Sequence, residues 1–126
     1  MSKKELASQS QGHFLFVTDN KDNSRFWFED GLKKALDGYA QTTMVDRSEL
    51  QKRVEEKESI MGVIVDSVYT DWKTYIPELK KLGLTVVVAC ASPTVEDARY
   101  ALMNGAQDYF VQSLDTSRVR NDVLGK

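Results

Sequence analysis

The sequence predicts an α/β fold in which five parallel strands form one doubly wound sheet with helices on both faces. Three short apolar runs, at residues 14–17, 63–65 and 86–89, are continuous rather than alternating and are rich in β-branched or aromatic side chains. Strands that helices cover on both faces have this composition. Segments with helical periodicity separate the runs, so the chain reads as successive βα units joined by right-handed crossovers.

Two weaker runs, at residues 42–45 and 109–111, bring the number of predicted strands to five. The first predicted helix follows strand one and ends near Gly38, a residue type that commonly terminates helices. Its apolar residues recur at a helical spacing and form one stripe. They are Phe26, Trp27, Leu32 and Leu36.

Four further helices are predicted from capping residues and apolar periodicity. Residues 48–51 have the Ser-Glu-Leu-Gln form of a capping box, which predicts a helix to about residue 57. The third helix carries the apolar residues of segment 75–82, and we expect Pro77 in its first turn. Thr94 and Asp115 are suitable N-caps for the fourth and fifth helices.

The composition indicates one soluble domain. The chain has 126 residues, a net charge of −2 and one cysteine. We expect residues 1–12 to form a flexible arm and residues 13–126 to form the domain. No basic stripe suits nucleic acid, and no apolar run is long enough to span a membrane. The single cysteine fits a reducing compartment, and the polar N-terminus lacks a signal peptide, so we expect a cytoplasmic protein.

The polar residues that follow the predicted strands are the candidate site, because ligands of open α/β sheets bind beyond the carboxyl ends of the strands. Asp19 follows strand one and Asp66 follows strand three. We predict the strand order 2-1-3-4-5, with these two carboxylates facing each other. Such a pair suits Mg²⁺, beside which a carboxylate can attack a phosphoryl group. An aspartate after a strand is also a common turn residue or helix cap, so spacing alone leaves both roles open.

Several motifs resemble the receiver domain of bacterial two-component response regulators. Phe-Leu-Phe-Val-Thr-Asp-Asn at 14–20 is similar to the family's first strand and acidic pair, and Gly-Val-Ile-Val-Asp at 62–66 to its third strand. The segment 85–116 follows the family register without gaps, including Asn-Gly-Ala-Gln-Asp-Tyr-Phe-Val at 104–111. The resemblance covers most of residues 14–119 and implies the flavodoxin-like (βα)5 receiver fold.

The resemblance also implies roles for individual residues. Asp66 would accept a phosphoryl group from a histidine kinase or a phosphotransfer protein. Asp19, Asp66 and the backbone carbonyl of Val68 would bind Mg²⁺. Tyr109 occupies the position of the switch aromatic on strand five. The output would be a protein contact through the face formed by the fourth helix, the fifth strand and the fifth helix, with an output domain, a partner protein or a second copy of the chain.

The sequence departs from the family pattern at three pocket positions. Thr18 replaces the first acidic residue and so weakens the expected Mg²⁺ site. Cys90 replaces the hydroxyl residue that contacts the phosphoryl group, and Gln112 replaces the lysine that pairs with it. In addition, Thr70 and Ser113 stand where the family has prolines. These changes predict an atypical receiver whose signalling depends weakly, or not at all, on phosphorylation.

The sequence offers two alternatives to the receiver function. The segment 66–70 partly resembles the Asp-x-Asp-x-Thr motif of haloacid-dehalogenase-like phosphatases, which would use Asp66 in phosphoryl transfer. Val68 stands where the second aspartate of that motif acts as acid and base, so we expect no enzyme. A flavin-binding flavodoxin would need a hydroxyl- and glycine-rich phosphate loop after strand one, where this chain has Asp22 and Asn23.

Overall fold

One five-stranded sheet organises the protein. In the computed structural model, which describes residues 12–125, all strands are parallel and lie in the order β2-β1-β3-β4-β5. The predicted strand number, direction and order are confirmed. The strands are β1 (His13–Val17), β2 (Gln41–Val45), β3 (Gly62–Asp66), β4 (Val86–Cys90) and β5 (Asp108–Val111).

Each strand is followed by a helix, as the repeated βα pattern predicts. The first, α1, has three contiguous segments: α-helical Lys21–Trp27, a π-helical stretch Phe28–Lys33 and α-helical Lys34–Leu36. The others are α2 (Arg47–Glu55), α3 (Trp72–Lys81), α4 (Val95–Met103) and α5 (Thr116–Leu124).

Alternate residues of the strands bury two separate apolar layers. Phe14 and Phe16 of β1 pack into the layer formed with α1 and α5. Leu15 and Val17 point to the opposite face and pack into the layer formed with α2, α3 and α4. Because both faces are covered, the central strands are apolar except at their ends, which explains why their sequence runs show no alternation.

The predicted start of α2 was wrong by two residues. Asp46, not Ser48, is the N-cap: its carboxylate accepts from the Glu49 amide at 2.8 Å, and the Glu49 carboxylate accepts from the Asp46 amide at 3.0 Å. The Ser48 hydroxyl donates to Asp46 instead of capping the helix. The Glu49 amide and then the Ser48 hydroxyl lower the pKa of Asp46, because both stabilise its ionised form.

The expected position of Pro77 was also wrong, because α3 begins at Trp72 and Pro77 lies in its interior. Proline has no N–H, so it cannot donate to the carbonyl four residues earlier, that of Lys73. The Tyr100 hydroxyl of α4 donates to this carbonyl at 3.1 Å. A side chain of the neighbouring helix thus satisfies the acceptor that proline leaves open, and α3 and α4 are joined at this point.

This arrangement predicts that the Tyr100 hydroxyl and Pro77 are energetically coupled. Tyr100→Phe should lower the free energy of unfolding by about 0.5–1.5 kcal/mol, the usual worth of one hydrogen bond. In a Pro77→Ala background the restored amide can donate to Lys73, so Tyr100→Phe should cost less there. Urea denaturation of the wild type, both single variants and the double variant measures the coupling.

The matched control is Tyr39→Phe, which removes a hydroxyl from an exposed tyrosine far from α3. Its cost should be the same with proline or alanine at position 77. Equal costs of Tyr100→Phe in the two backgrounds would show that the hydroxyl does not substitute for the missing amide.

Candidate functional site

The register of the sheet brings the candidate residues to its carboxyl edge. Val17 is paired with Val65, so the next residues, Thr18 and Asp66, lie side by side. On the other side of β3, Asp66 is paired with Ala89 of β4. The backbone N–H of Gln112, just after β5, donates to the carbonyl of Cys90 at 2.7 Å. The register therefore sets Thr18, and not Asp19, beside Asp66.

Asp66 is buried and fully hydrogen-bonded. It is 1% exposed, although ionised carboxylates seldom lie in interiors without partners. Its Oδ2 accepts from the hydroxyls of Thr18 (2.8 Å) and Ser24 (3.0 Å). Its Oδ1 accepts from the Val68 amide (3.0 Å) and from Gln112 Nε2 (2.9 Å). We call these four donors the Asp66 cage; none of them carries a positive charge.

Ser24 is a member of the cage that sequence reasoning missed. It lies on α1, which begins after Asn20, whose side chain caps the helix by accepting from the Asn23 amide. The Ser24 residue is buried, and its hydroxyl lies 2.9 Å from that of Thr18. The sequence signal that could have identified Ser24 is its position four residues after the N-cap Asn20. A side chain one turn into a helix that starts at the carboxyl edge of the sheet can face that edge.

Gln112 is held in place from two sides. Its Nε2 also donates to the carbonyl of Ala89 at 3.1 Å, so the amide bridges β4 and Asp66. The following residue, Ser113, accepts from the Trp27 indole through its carbonyl at 2.8 Å. Gly31 leaves room for this indole, because a Cβ there would lie 2.5 Å from the Trp27 nitrogen. The buried indole of α1 therefore fixes the loop that carries Gln112.

Asp19 points away from the cage. Its carboxylate is exposed and accepts from Arg47, with Nε 3.2 Å from Oδ1 and a terminal guanidinium nitrogen 3.3 Å from Oδ2. Its backbone amide donates to the hydroxyl of buried Thr70 at 3.1 Å. The two carboxylates thus lie at the same edge, but each has its own partners.

The predicted Mg²⁺ ligands Asp19, Asp66 and the Val68 carbonyl are oxygen donors, as a hard divalent cation requires. The donor set is nevertheless poor. Because Thr18 stands where a third acid was expected, the candidate ligands include only two carboxylates, those of Asp19 and Asp66. Arg47 pairs with the carboxylate of Asp19. The cage already donates to both oxygens of Asp66. Within residues 12–125 there is no cluster of three His, Cys, Asp or Glu side chains that could hold a metal. In this arrangement the three groups do not form a ready site for a divalent cation.

Cys90 and Tyr109, at the predicted switch positions, lie together behind the cage. Burial raises the pKa of the Cys90 thiol. Burial, followed by a hydrogen bond to Cys90, raises the pKa of Tyr109 to about 12. The Tyr109 ring packs on Trp72 at 6.0 Å between centroids, and Trp72 contacts Tyr100 edge-on at 5.9 Å. Trp72 is buried.

The comparisons with solved structures show which fold this is. A response regulator from Thermotoga maritima superposes with a TM-score of 0.74 at 16% identity, over 91% of this chain and 96% of that one. A receiver domain from Clostridium thermocellum gives a TM-score of 0.69 at 17% identity, over 90% and 92%. The chain has the receiver-domain fold. No family model and no curated protein matches the sequence.

A third solved structure of this fold contains a modified aspartate and a metal ion. It is a response regulator from Burkholderia pseudomallei with a phosphorylated aspartic acid, a calcium ion and citrate. It gives a TM-score of 0.68 at 16% identity, over 89% of this chain and 66% of that one.

No helix within residues 12–125 of the present chain is long and apolar enough to cross a membrane.

The cage predicts that the Ser24 hydroxyl stabilises the fold through the Asp66 carboxylate. Ser24→Ala should lower the free energy of unfolding by about 1–3 kcal/mol, because a buried charged acceptor loses a donor. Urea denaturation at neutral pH measures the loss.

The control repeats Ser24→Ala in an Asp66→Asn background. The acceptor is then neutral, and the loss should shrink. A loss of the same size in both backgrounds would mean that Ser24 acts through packing and not through the carboxylate.

Proposed function

We propose that this chain is a cytoplasmic signalling module of the receiver type that acts through protein contacts and whose output depends little on phosphorylation of Asp66. The observation that carries the proposal is the Asp66 cage. Four uncharged donors already satisfy both carboxylate oxygens of the candidate phosphoacceptor. The domain can therefore keep its buried carboxylate without a cation or a phosphoryl group.

Asp66 is the candidate acceptor for a histidine kinase or a phosphotransfer protein, but its surroundings disfavour the product. A carboxylate oxygen must leave the cage before it can attack phosphorus. The acyl phosphate that forms carries more negative charge than the carboxylate it replaces. Gln112 offers it a neutral amide where a lysine would form an ion pair, and the Cys90 thiol is a weak donor. Transfer to Asp66 should be slow and its product poorly stabilised.

The switch positions suit a single arrangement that needs no phosphate. In receivers the strand-five aromatic moves inward after phosphorylation, toward the strand-four hydroxyl. Here Tyr109 already packs on Trp72, and its strand β5 is paired with β4, which carries Cys90. The Lys73 ammonium binds Asp97 of α4 at 2.8 Å, which adds to the Tyr100 contact with α3. Phosphorylation can shift a conformational equilibrium only if it stabilises one of the two states more than the other. With Tyr109 and α4 already held in place, we expect that difference in stabilisation to be small.

The output surface we propose is the α4–β5–α5 side of the domain. The α4 residues Val95 (74% exposed), Leu102 (54%) and Met103 (78%) present apolar side chains, and Leu114 of the loop after β5 is also exposed. A shallow depression of about 310 Å³ beside Met103 is lined by Glu96, Arg99, Tyr100 and Asn104. Apolar exposure with a polar rim suits a protein partner, including a second copy of this chain.

The phosphatase alternative receives less support. Val68 occupies the position of its second aspartate, and the Val68 amide donates to Asp66. The side chain there cannot exchange a proton with a leaving group, so the loop lacks the acid and base that turnover requires.

Phosphoryl uptake tests the role of the departures in the pocket. Incubated with acetyl phosphate and Mg²⁺, the wild type should gain little or no mass of one phosphoryl group, as read by intact-mass spectrometry. The variant Thr18→Asp/Cys90→Thr/Gln112→Lys restores the acid, the hydroxyl and the lysine, and should be phosphorylated substantially more.

Asp66→Asn placed in the restored variant should abolish its uptake, which identifies the modified residue. Rapid and complete phosphorylation of the wild type would overturn the proposal that the cage suppresses this chemistry.

A second experiment tests whether phosphate reaches the output surface. Acetyl phosphate and Mg²⁺ should leave the backbone amide NMR signals of Val95–Met103 in the wild type nearly unchanged, because Tyr109 and α4 are already held. Tyr109→Ala removes the packing on Trp72 and should shift the same signals, which shows that they respond to the switch position. Large shifts of the wild-type α4 signals with phosphate donor would indicate a working phosphoswitch.

A further inference from the structure

We propose that Trp27 is a positioning residue for the Asp66 cage: its indole fixes the loop after β5, and that loop holds the Gln112 side chain on the carboxylate. The π-helical stretch of α1 and its Gly31 let the indole reach the loop. The inference rests on the proposed function only in taking Asp66 as the acceptor of the site. It goes further because it gives α1 control over how one oxygen of that acceptor is held.

The first argument is the series of contacts that leads from α1 to Asp66. The Trp27 indole nitrogen donates to the Ser113 carbonyl at 2.8 Å. The preceding residue, Gln112, donates from Nε2 to Asp66 Oδ1 at 2.9 Å and to the Ala89 carbonyl at 3.1 Å. These two acceptors suit the two N–H groups of the amide. Because hydrogen bonds require a narrow range of distance and angle, a displacement of Ser113 would take the amide away from the carboxylate.

The second argument is that the loop gains support from another element. A proline at position 113 would fix its own φ, but Ser113 does not restrict the backbone in this way. The Ser113 hydroxyl accepts from the Asp115 amide at 3.0 Å, a contact within the loop itself. The Trp27 indole adds a contact from outside the loop, and its own position is fixed by packing. The indole is buried and contacts Phe16 at 5.4 Å and Phe110 at 6.1 Å between ring centroids.

The third argument is that the local form of α1 suits this contact. A Cβ at position 31 would lie 2.5 Å from the Trp27 indole nitrogen and 3.0 Å from the Ser113 carbonyl oxygen. A side chain there would therefore press on both the donor and the acceptor, and Gly31 avoids this. The π-helical stretch Phe28–Lys33 begins directly after Trp27 and contains Gly31. Such wide turns inside α-helices are rare and frequently occur at functional sites.

A second route leads from α1 to the same carboxylate. The Ser24 hydroxyl, on the same helix as Trp27, donates to the other oxygen of Asp66, Oδ2, at 3.0 Å. A change in α1 could therefore reach Asp66 through either Ser24 or Gln112. Because the two routes end on different side-chain donors, removing Gln112 separates them.

The decisive measurement is NMR spectroscopy of the full chain, read at the Asp66 carboxylate carbon and at the side-chain amide of Gln112. Trp27→Phe keeps an aromatic ring but removes the N–H. It should shift the Asp66 signal in the same direction as Gln112→Ala does. It should also raise the solvent-exchange rate of the Gln112 side-chain amide about two- to ten-fold, the range that one hydrogen bond spans. In a Gln112→Ala background, Trp27→Phe should shift the Asp66 signal no further.

The matched control is Trp72→Phe, the same change at the other tryptophan of the chain. Trp72 is as buried as Trp27, but it packs in the opposite apolar layer. Its replacement should leave the exchange rate of the Gln112 amide unchanged. Gly31→Ala is an independent perturbation, because it keeps the indole N–H and displaces it. It should act on Gln112 and Asp66 in the same direction as Trp27→Phe, and it decides the question alone if Trp27→Phe does not fold.

Three results would overturn the proposal. The first is an Asp66 shift on Trp27→Phe that persists with alanine at position 112, which would mean that α1 acts through Ser24. The second is an unchanged exchange rate of the Gln112 amide in Trp27→Phe or, if that variant does not fold, in Gly31→Ala. The third is an equal rise of this rate in Trp72→Phe. None of these measurements uses a phosphoryl donor, so this proposal and the proposed function fail separately.

Discussion

A buried carboxylate needs hydrogen bonds, and in this protein that need ties the carboxyl edge of the sheet together. Removing an ionised group from water without partners costs far more than a small domain can tolerate. The donors to Asp66 come from the end of β1, from α1, from the loop after β3 and from the end of β5. The same contacts that define the site therefore also fix how α1 and the β5 loop meet the sheet.

The ion pairs at this end of the molecule lie at the surface, outside the Asp66 cage. The full charges form pairs at the surface, between Asp19 and Arg47 and between Lys73 and Asp97. Exposed pairs are screened by salt, whereas the buried hydrogen bonds to Asp66 are screened much less. We therefore expect ionic strength to affect these surface pairs more than the Asp66 cage.

The parts of this arrangement that follow from local sequence were predictable. The strand runs and the caps at Thr94 and Asp115 depend on residues close in the chain, and the strand order is the one implied by the resemblance to receiver domains. The contacts of Ser24, Arg47 and Tyr100 were not, because each joins elements that only the register and the helix packing bring together. The capping box was misplaced because Asp46 and Ser48 both have a side-chain oxygen that could cap the helix. In the structure Asp46 is the N-cap, and the Ser48 hydroxyl donates to it.

The contrast between Asp66 and Asp19 shows how one substitution can divide a site. The resemblance to receiver domains implies an acid at position 18, where this chain has Thr18. The Thr18 hydroxyl donates to Oδ2 of Asp66. Asp19, left without that neighbour, lies at the surface within reach of α2, and Arg47 neutralises it. The two carboxylates, which lie at the same edge of the sheet, therefore have separate partners. Asp66 is thus held by uncharged donors inside the domain, whereas Asp19 is held by a salt bridge at its surface.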